Sequence, residues 1–351
     1  MAAALYNLLM LVVDGIVVWT VHKAEPRAQL SAARRALIQA ALVSLLSAAT
    51  LASGFGSIRL LAYGVFLHGF LQLLALGWLW LSSRRRLGLL CLSLAGGLVV
   101  IAADAFLIEP HWLEVTTYRI PHSKIQRPIR VGILADLQTD VVGDYERRVI
   151  AELMAGAPDL ILMPGDFLQQ DDAVRRGELR RQLNTVLRQK GFRAPMGAIA
   201  VGGNTDSPDW PRIFEGLPVT PVETSETFAL DGLQVTALSL PDSFDPGLRI
   251  SPREEFHIAF GHGPDFALGE IGADLLVAGH THGGQVRLPL LGPVITLSRI
   301  PRSWATGRTE LPGGRTLIVS RGIGMERAGA PRLRFLCRPQ LVFVDLVPQG
   351  T

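Results

Sequence analysis

Residues 273–285 read Ala-Asp-Leu-Leu-Val-Ala-Gly-His-Thr-His-Gly-Gly-Gln. The apolar run Leu275–Ala278 has the length and composition of a buried strand, and a polar, glycine-rich turn closes it. Neutral imidazole is the commonest metal ligand, and glycine lets the chain turn sharply and lets a ligand come close. The whole chain holds 8 histidines. Two of them in one short loop point to a metal site assembled at strand ends.

Four more apolar runs end in the same way. Val131–Ala135 is followed by Asp136-Leu137-Gln138, and Leu160–Met163 by Pro164-Gly165-Asp166. Ala198–Val201 precedes Gly202-Gly203-Asn204-Thr205-Asp206, and Ile258–Phe260 precedes Gly261-His262. Taken singly, each is bland: an Asp after a strand is usually a turn residue or a helix cap, Asn204 suits a left-handed turn, and His262 suits a structural histidine. Together they are five strand ends bearing Asp, Asn, Gln or His. Ligands bind outside the carboxyl ends of strands in open α/β sheets, so these turns can converge on one cavity. Carboxylate, imidazole and amide groups suit two divalent ions. Such a pair, roughly 3.5–4 Å apart, clamps the attacking and leaving oxygens of an in-line phosphoryl displacement and makes hydroxide available near neutral pH.

Between these strands the apolar spacing predicts helices over 144–155 and 172–189. Strands are expected at Val115–Ile120, Thr316–Ser320 and Leu341–Leu346, and a hairpin joins Thr227–Leu230 to Leu233–Leu238 through Asp231-Gly232, a pair that favours a tight primed turn. The β-α-β-α-β order argues for an α/β sandwich with at least partly parallel strands.

The first third is different. The chain of 351 residues has a net charge of +3 and a mean hydropathy of +0.30, and the apolar excess sits in about Leu5–Val21, Ala36–Phe55, Ile58–Leu81 and Leu87–Ile108. Each approaches the roughly 20 apolar residues that a membrane span needs. The expected organisation is an all-α, four-span anchor over 1–110 and an α/β domain over 111–351. Lys23, Arg27, Arg34 and Arg35 lie in the first connecting loop and Arg84, Arg85 and Arg86 in the third. Positive charge marks the cytoplasmic side, so the bacterial plasma membrane would carry the second domain on its outer face. Asp14, His68 and Asp104 fall at membrane depth. Such groups are functional candidates by default, and interhelical hydrogen bonding is the weightier reading here. No basic block interleaved with aromatics is present, so nucleic acid is not an expected partner. Cys91 and Cys337 do not make a disulfide framework.

With these motifs in place, the chain resembles the calcineurin-like metallophosphoesterase superfamily, in its bacterial membrane-associated branch that carries Gly-His-Thr-His-Gly-Gly-Gln. The resemblance covers about Val115 to Leu346. It implies a sandwich of two mixed sheets flanked by helices, and hydrolysis of phosphomonoesters or phosphodiesters at a dinuclear centre. It implies that Asp136, Gln138, Asp166 and His282 hold one ion and that Asp166, Asn204, His262 and His280 hold the other, with Asp166 bridging.

Two positions depart from the family pattern. Gln138 replaces a histidine, exchanging a nitrogen donor for a harder oxygen, which favours manganese or magnesium over zinc or iron. Thr205 replaces the histidine near the leaving group, which the resemblance makes a proton donor or charge stabiliser; threonine cannot serve as an acid near neutral pH. Asp206, which supports that histidine in the family, remains and could orient Thr205 or a water. The reading that follows is a membrane-anchored phosphoesterase with two divalent ions, manganese favoured, acting on a phosphate ester, with lipid or cell-envelope esters suggested by the anchor. A degenerate domain that binds metal or a phosphorylated ligand without turnover is the alternative, and a four-span transporter with an accessory domain ranks last.

Overall fold

The structure is a computed structural model, and it describes residues 1–350. Its described residues divide into two compact units, Met1–Leu107 with Ala328–Arg332, and Ile108–Arg327 with 333–350.

In the first unit the four apolar stretches are helices α1 (Ala2–Lys23), α2 (Gln29–Leu51), α3 (Phe55–Leu81) and α4 (Arg85–His111), each long and apolar enough to cross a membrane. The second ends at Leu51, short of the expected Phe55, because Ala52 is extended and Gly54 holds a positive φ of 54°. Asp14 of α1 accepts hydrogen bonds from His68 Nδ1 and Gln72 Nε2 of α3, both at 2.7 Å. These are the interhelical bonds expected of buried polar groups in such a bundle. His68 lies within a π-helical turn, Gly64–Gly69.

The second unit contains two mixed six-stranded sheets. The strands are β1 (Glu114–His122), β2 (Ile129–Ile133), β3 (Leu160–Met163), β4 (Ala198–Val201), β5 (Val219–Val222), β6 (Glu226–Leu230), β7 (Leu233–Ala237), β8 (Phe256–Phe260), β9 (Leu275–Ala278), β10 (Gly307–Leu311), β11 (Arg315–Val319) and β12 (Gln340–Pro348). In the first sheet β12 lies between β1 and β2, parallel to β1 and antiparallel to β2, and β2, β3, β4 and β5 follow in parallel. In the second sheet β11, β9, β8 and β7 are parallel and central, and β10 and β6 are antiparallel edges.

The inner faces of the two sheets meet in one core: Val131, Leu162, Val201 and Val344 from the first pack with Val235, Ile258, Val277 and Ile318 from the second. Helices α5 (Asp144–Ala155) and α6 (Ala173–Gln189) cover the outer face of the first sheet through Val149, Leu153, Leu183 and Val186. Because β2, β3, β4 and β5 are parallel, and β7, β8, β9 and β11 likewise, the turns that leave their carboxyl ends gather along one rim of each sheet. Strands β5 and β10 were not expected from the sequence. Val219–Val222 contains a proline, and Gly307–Leu311 alternates without an apolar run; both are edge strands, where pairing on one side suffices.

Candidate metal centre

The seven residues expected to hold metal all stand in turns that follow strands of the sandwich. Asp136 and Gln138 follow β2, Asp166 follows β3, Asn204 follows β4, His262 follows β8, and His280 and His282 follow β9. Five of them hold positive φ: Asp136 at 47°, Gln138 at 36°, Asp166 at 54°, His280 at 68° and His282 at 48°. Strained backbone of this kind gathers at functional sites, where surrounding structure over-determines it. Glycine makes room for it. A Cβ on Gly203 would lie 2.1 Å from Asp166 Oδ1, and one on Gly322 would lie 2.6 Å from Asp136 Cβ.

The donors and acceptors do not balance without a cation. Asp136 Oδ1 accepts the His280 N–H at 2.9 Å, while Asp136 Oδ2 and Gln138 Oε1 are buried with no hydrogen-bond partner. His262 Nδ1 donates to the Pro164 carbonyl at 2.8 Å. A neutral imidazole then leaves Nε2 as a bare lone pair, and that nitrogen faces Asn204 Oδ1 at 2.7 Å and Asp166 Oδ2 at 3.5 Å. His280 Nε2 donates to the Leu297 carbonyl at 3.1 Å, which leaves its Nδ1 as a lone pair. Ligand atoms of Asp136, Asp166 and His282 lie within 4.8 Å of one another. Buried acceptors facing one another are costly, and a divalent cation turns that cost into coordination. The residues therefore fit metal.

Charge follows the same logic. Burial pushes the Asp136 and Asp166 carboxyls up, Asp166 to about 6, and their mutual repulsion adds to this for Asp136. Asp206 rises to about 8, through burial first and the Asp166 charge second. Burial lowers the histidines, His262 to about 4, and for His282 the Arg334 guanidinium adds to it. Neutral imidazoles are the form that ligates.

These shifts have a consequence for protein stripped of metal. A carboxyl raised in the folded state stabilises at low pH, and that contribution is lost as pH rises through the folded value. The depressed histidines act the other way, but their contribution is complete above about 6.5, their ordinary value. Between pH 6.5 and 8 only the raised carboxyls still titrate. The melting temperature of chelator-treated protein is expected to fall over that window, and saturating divalent ion is expected to flatten the profile. A metal-free profile that rises from pH 6.5 to 8 would contradict this account.

Asp206 does not bond the Thr205 hydroxyl, whose Oγ1 is buried with no hydrogen-bond partner. Its Oδ1 accepts the Phe167 and Leu168 N–H groups at 2.8 and 3.3 Å, and its Oδ2 accepts the Gly203 N–H at 2.9 Å. It fixes the Asp166 turn to the Asn204 turn. Thr205 contributes its backbone: its N–H donates to Asp166 Oδ1 at 2.8 Å. His257 has a structural bond, its Nε2 lying 2.7 Å from Thr236 Oγ1.

The groups behind the site were not legible in the sequence. Gln138 Nε2 donates to Glu326 Oε2 and Gln169 Oε1, both at 3.1 Å. Gln169 Nε2 donates to Glu326 Oε1 at 2.5 Å, and the Arg327 N–H holds Gln169 Oε1 at 2.6 Å. A carboxylate only accepts, so the amide nitrogen of Gln138 must face Glu326, and its oxygen is left buried without a hydrogen-bond partner. Arg334 is fully buried, its guanidinium donating to the carbonyls of Arg321, Gly322, Gly324 and Cys337 and lying 3.5 Å from His282 Nδ1. Only Gln285, whose Oε1 accepts the Glu326 N–H at 2.9 Å, carried a signal, as the last residue of the Gly-His-Thr-His-Gly-Gly-Gln motif.

No protein-family model matches the sequence. The uncharacterized metallophosphoesterase YkuE of Bacillus subtilis is 29% identical over 264 residues, spanning 68% of this chain and 87% of that protein. The phosphodiesterase YaeI of Escherichia coli is 27% identical over 261 residues, spanning 68% of this chain and 90% of that protein. Among solved structures, Yfce, a phosphoesterase from E. coli, aligns with a TM-score of 0.29 at 17% identity, covering 58% of this chain and 85% of that one. The chain is thus similar to proteins named metallophosphoesterase and phosphodiesterase, and it is an enzyme of the hydrolase class.

Proposed function

We propose that this protein is a membrane-anchored, metal-dependent phosphoesterase that hydrolyses a phosphomonoester or phosphodiester outside the cytoplasm. The observation that carries the reading is the buried group Asp136, Asp166 and His282, whose ligand atoms lie within 4.8 Å of one another, together with Asp136 Oδ2, which is buried with no hydrogen-bond partner. Asp136, Gln138, Asp166 and His282 would hold one divalent ion, and Asp166, Asn204, His262 and His280 the other, Asp166 serving both. When bound, the ions supply Lewis acidity to the phosphoryl group and activate a water. The chain's own part is to hold the donors rigid. Asp206 ties two ligand turns together, the Pro164 carbonyl sets the His262 tautomer, and Glu326 sets the Gln138 amide. The four apolar helices support the anchor, and Arg27 and Arg84 between them, with Arg34, Arg35, Arg85 and Arg86 near the starts of the helices that follow, support its orientation. A lipid or cell-envelope ester is the substrate class that suits such an anchor.

Hydrolysis of bis-p-nitrophenyl phosphate by the full-length protein in detergent is expected to vanish with chelator and to return best with Mn²⁺. Tight metal binding without turnover on diesters or monoesters would instead support the non-catalytic binding reading that Thr205 motivates. For orientation, a C-terminal reporter active only in the cytoplasm would overturn the outward placement.

The Gln138 contact makes a separate prediction. In Glu326→Gln the residue at 326 can both donate and accept, so the Gln138 amide is no longer fixed. Outer-shell partners of this kind are typically worth about 10–100-fold in metal affinity. Calorimetric titration with Mn²⁺ is expected to show a loss of that size at one of two sites and little change at the other. Two unaltered sites would remove Glu326 from the account.

A further inference from the structure

The segment that follows the histidine loop is apolar, exposed and held beside the site at both ends. Arg287–Leu288 pairs antiparallel with Gly292–Pro293, and the tip between them is Pro289-Leu290-Leu291. Leu290 is 107% exposed and Leu291 73% exposed. Leu288, Val294, Ile295 and Leu297 are exposed as well. One foot of this hairpin continues directly from His282. The other is fixed by the His280 Nε2 bond to the Leu297 carbonyl and by Asp265, which accepts the Ser298 hydroxyl and, at 2.9 Å, the Arg299 N–H. The tip therefore stands a few residues from the metal ligands on either side.

Such a tip is not what a turn exposed to water selects. Leu290 holds φ at +68°, a conformation favourable to glycine or asparagine and costly to a branched side chain. Single exposed leucines need no explanation, but a contiguous apolar patch marks an interaction site. The charge around it is one-sided. From 275 to 307 the chain carries Arg287, Arg299 and Arg302 and no Asp, Glu or Lys. Apolar residues flanked by arginine match the boundary between acyl chains and anionic head groups, where buried apolar area and attraction to anionic lipid act together. The same chain carries four helices apolar enough to cross a bilayer, so a lipid surface is a fixed neighbour of any molecule inserted through them.

We propose that the 287–297 hairpin is a lipid-docking element: Leu290 and Leu291 enter the head-group boundary of a phospholipid bilayer, and the arginines engage anionic head groups. This places the histidine loop at the lipid surface. The docking stands on the hairpin's own exposure and charge; its use in selecting lipid-borne esters rests on the phosphoesterase reading above.

The test separates the two. Full-length protein carrying Leu290→Cys is labelled with an environment-sensitive nitrobenzoxadiazole probe and reconstituted into vesicles of phosphatidylcholine and phosphatidylglycerol, with labelled wild type subtracted for Cys91 and Cys337. Docking predicts a blue-shifted emission quenched by shallow doxyl-labelled phosphatidylcholine, stronger with phosphatidylglycerol than without it. An emission like that of the probe in water overturns the proposal. A blue shift that doxyl lipid does not quench also overturns it, because a protein surface then covers the tip.

In the second arm, the Leu290→Asp/Leu291→Asp variant is assayed on a phosphoester carried in vesicles and on soluble bis-p-nitrophenyl phosphate. A fall of about tenfold or more in kcat/KM on vesicles alone supports the selecting role. An equal fall on both substrates, or none on either, overturns that role while the quenching result still decides the docking. Absence of turnover in wild type counts against the phosphoesterase reading and leaves the quenching arm intact.

Discussion

Asp166→Asn is expected to abolish measurable hydrolysis while leaving the metal-free protein as stable as wild type or more so. The two effects have one cause. Asp166 is the carboxylate assigned to both ions, and it is buried where burial raises its carboxyl to about 6. Without metal its charge is a liability, and the isosteric amide removes it; Oδ1 can still accept the Thr205 N–H. With metal, the amide lacks the negative charge that lets two cations share one ligand. The rate is expected to fall by more than the roughly 10–100-fold that loss of an outer-shell partner costs, and elemental analysis is expected to find less than the wild-type metal content. Thermal melts with and without Mn²⁺ separate this from misfolding: the metal-free melt holds, and the increment added by Mn²⁺ shrinks. An Asp166→Asn protein that keeps both its Mn²⁺ increment and its rate would remove Asp166 from the centre.

Thr205→His is expected to act in the opposite direction. Thr205 is partly exposed beside the exposed Asn204, and its Oγ1 is buried with no hydrogen-bond partner, so no existing side-chain bond is lost on substitution. Its backbone bond to Asp166 does not depend on the side chain. General acid help is worth about 10²–10⁴-fold where the leaving group needs a proton. The gain should therefore appear with alkyl phosphate esters and be small with p-nitrophenyl esters, whose leaving group needs little protonation. A gain confined to poor leaving groups assigns the proton-donor role to position 205. Equal rates of the two proteins on alkyl esters would show that this enzyme moves the leaving-group proton by another route.

Much of the catalytic unit was readable before any coordinates. Asp144–Ala155, Leu160–Met163, Phe256–Phe260 and Leu275–Ala278 stand where periodicity and apolar runs place them, because a strand buried on both faces must be apolar throughout and a helix lying on a sheet must show a stripe. The positions of the seven candidate ligands at strand ends were also readable, since each stands in a turn that follows such a strand. Edge strands such as Val219–Val222 were not, because a strand paired on one side needs no strong pattern. Glu326, Gln169 and Arg334 were not legible either. Nothing local distinguishes a carboxylate that orients an amide 188 residues away from one on a solvated turn.

The sequence by itself determined the division into an apolar helical part and an α/β part, the order of the central strands, and which polar residues follow them. These are local properties, set by hydropathy, period and residue type. Only the tertiary structure decided how the ligands are used. The His262 tautomer is set by the Pro164 carbonyl, the face of the Gln138 amide by Glu326, and the task of Asp206 by three backbone N–H groups. It also decided that Leu290 and Leu291, ordinary apolar residues in sequence, are exposed at a tip rather than buried. Each of these depends on which groups from distant strands meet at one rim, and composition does not encode that meeting.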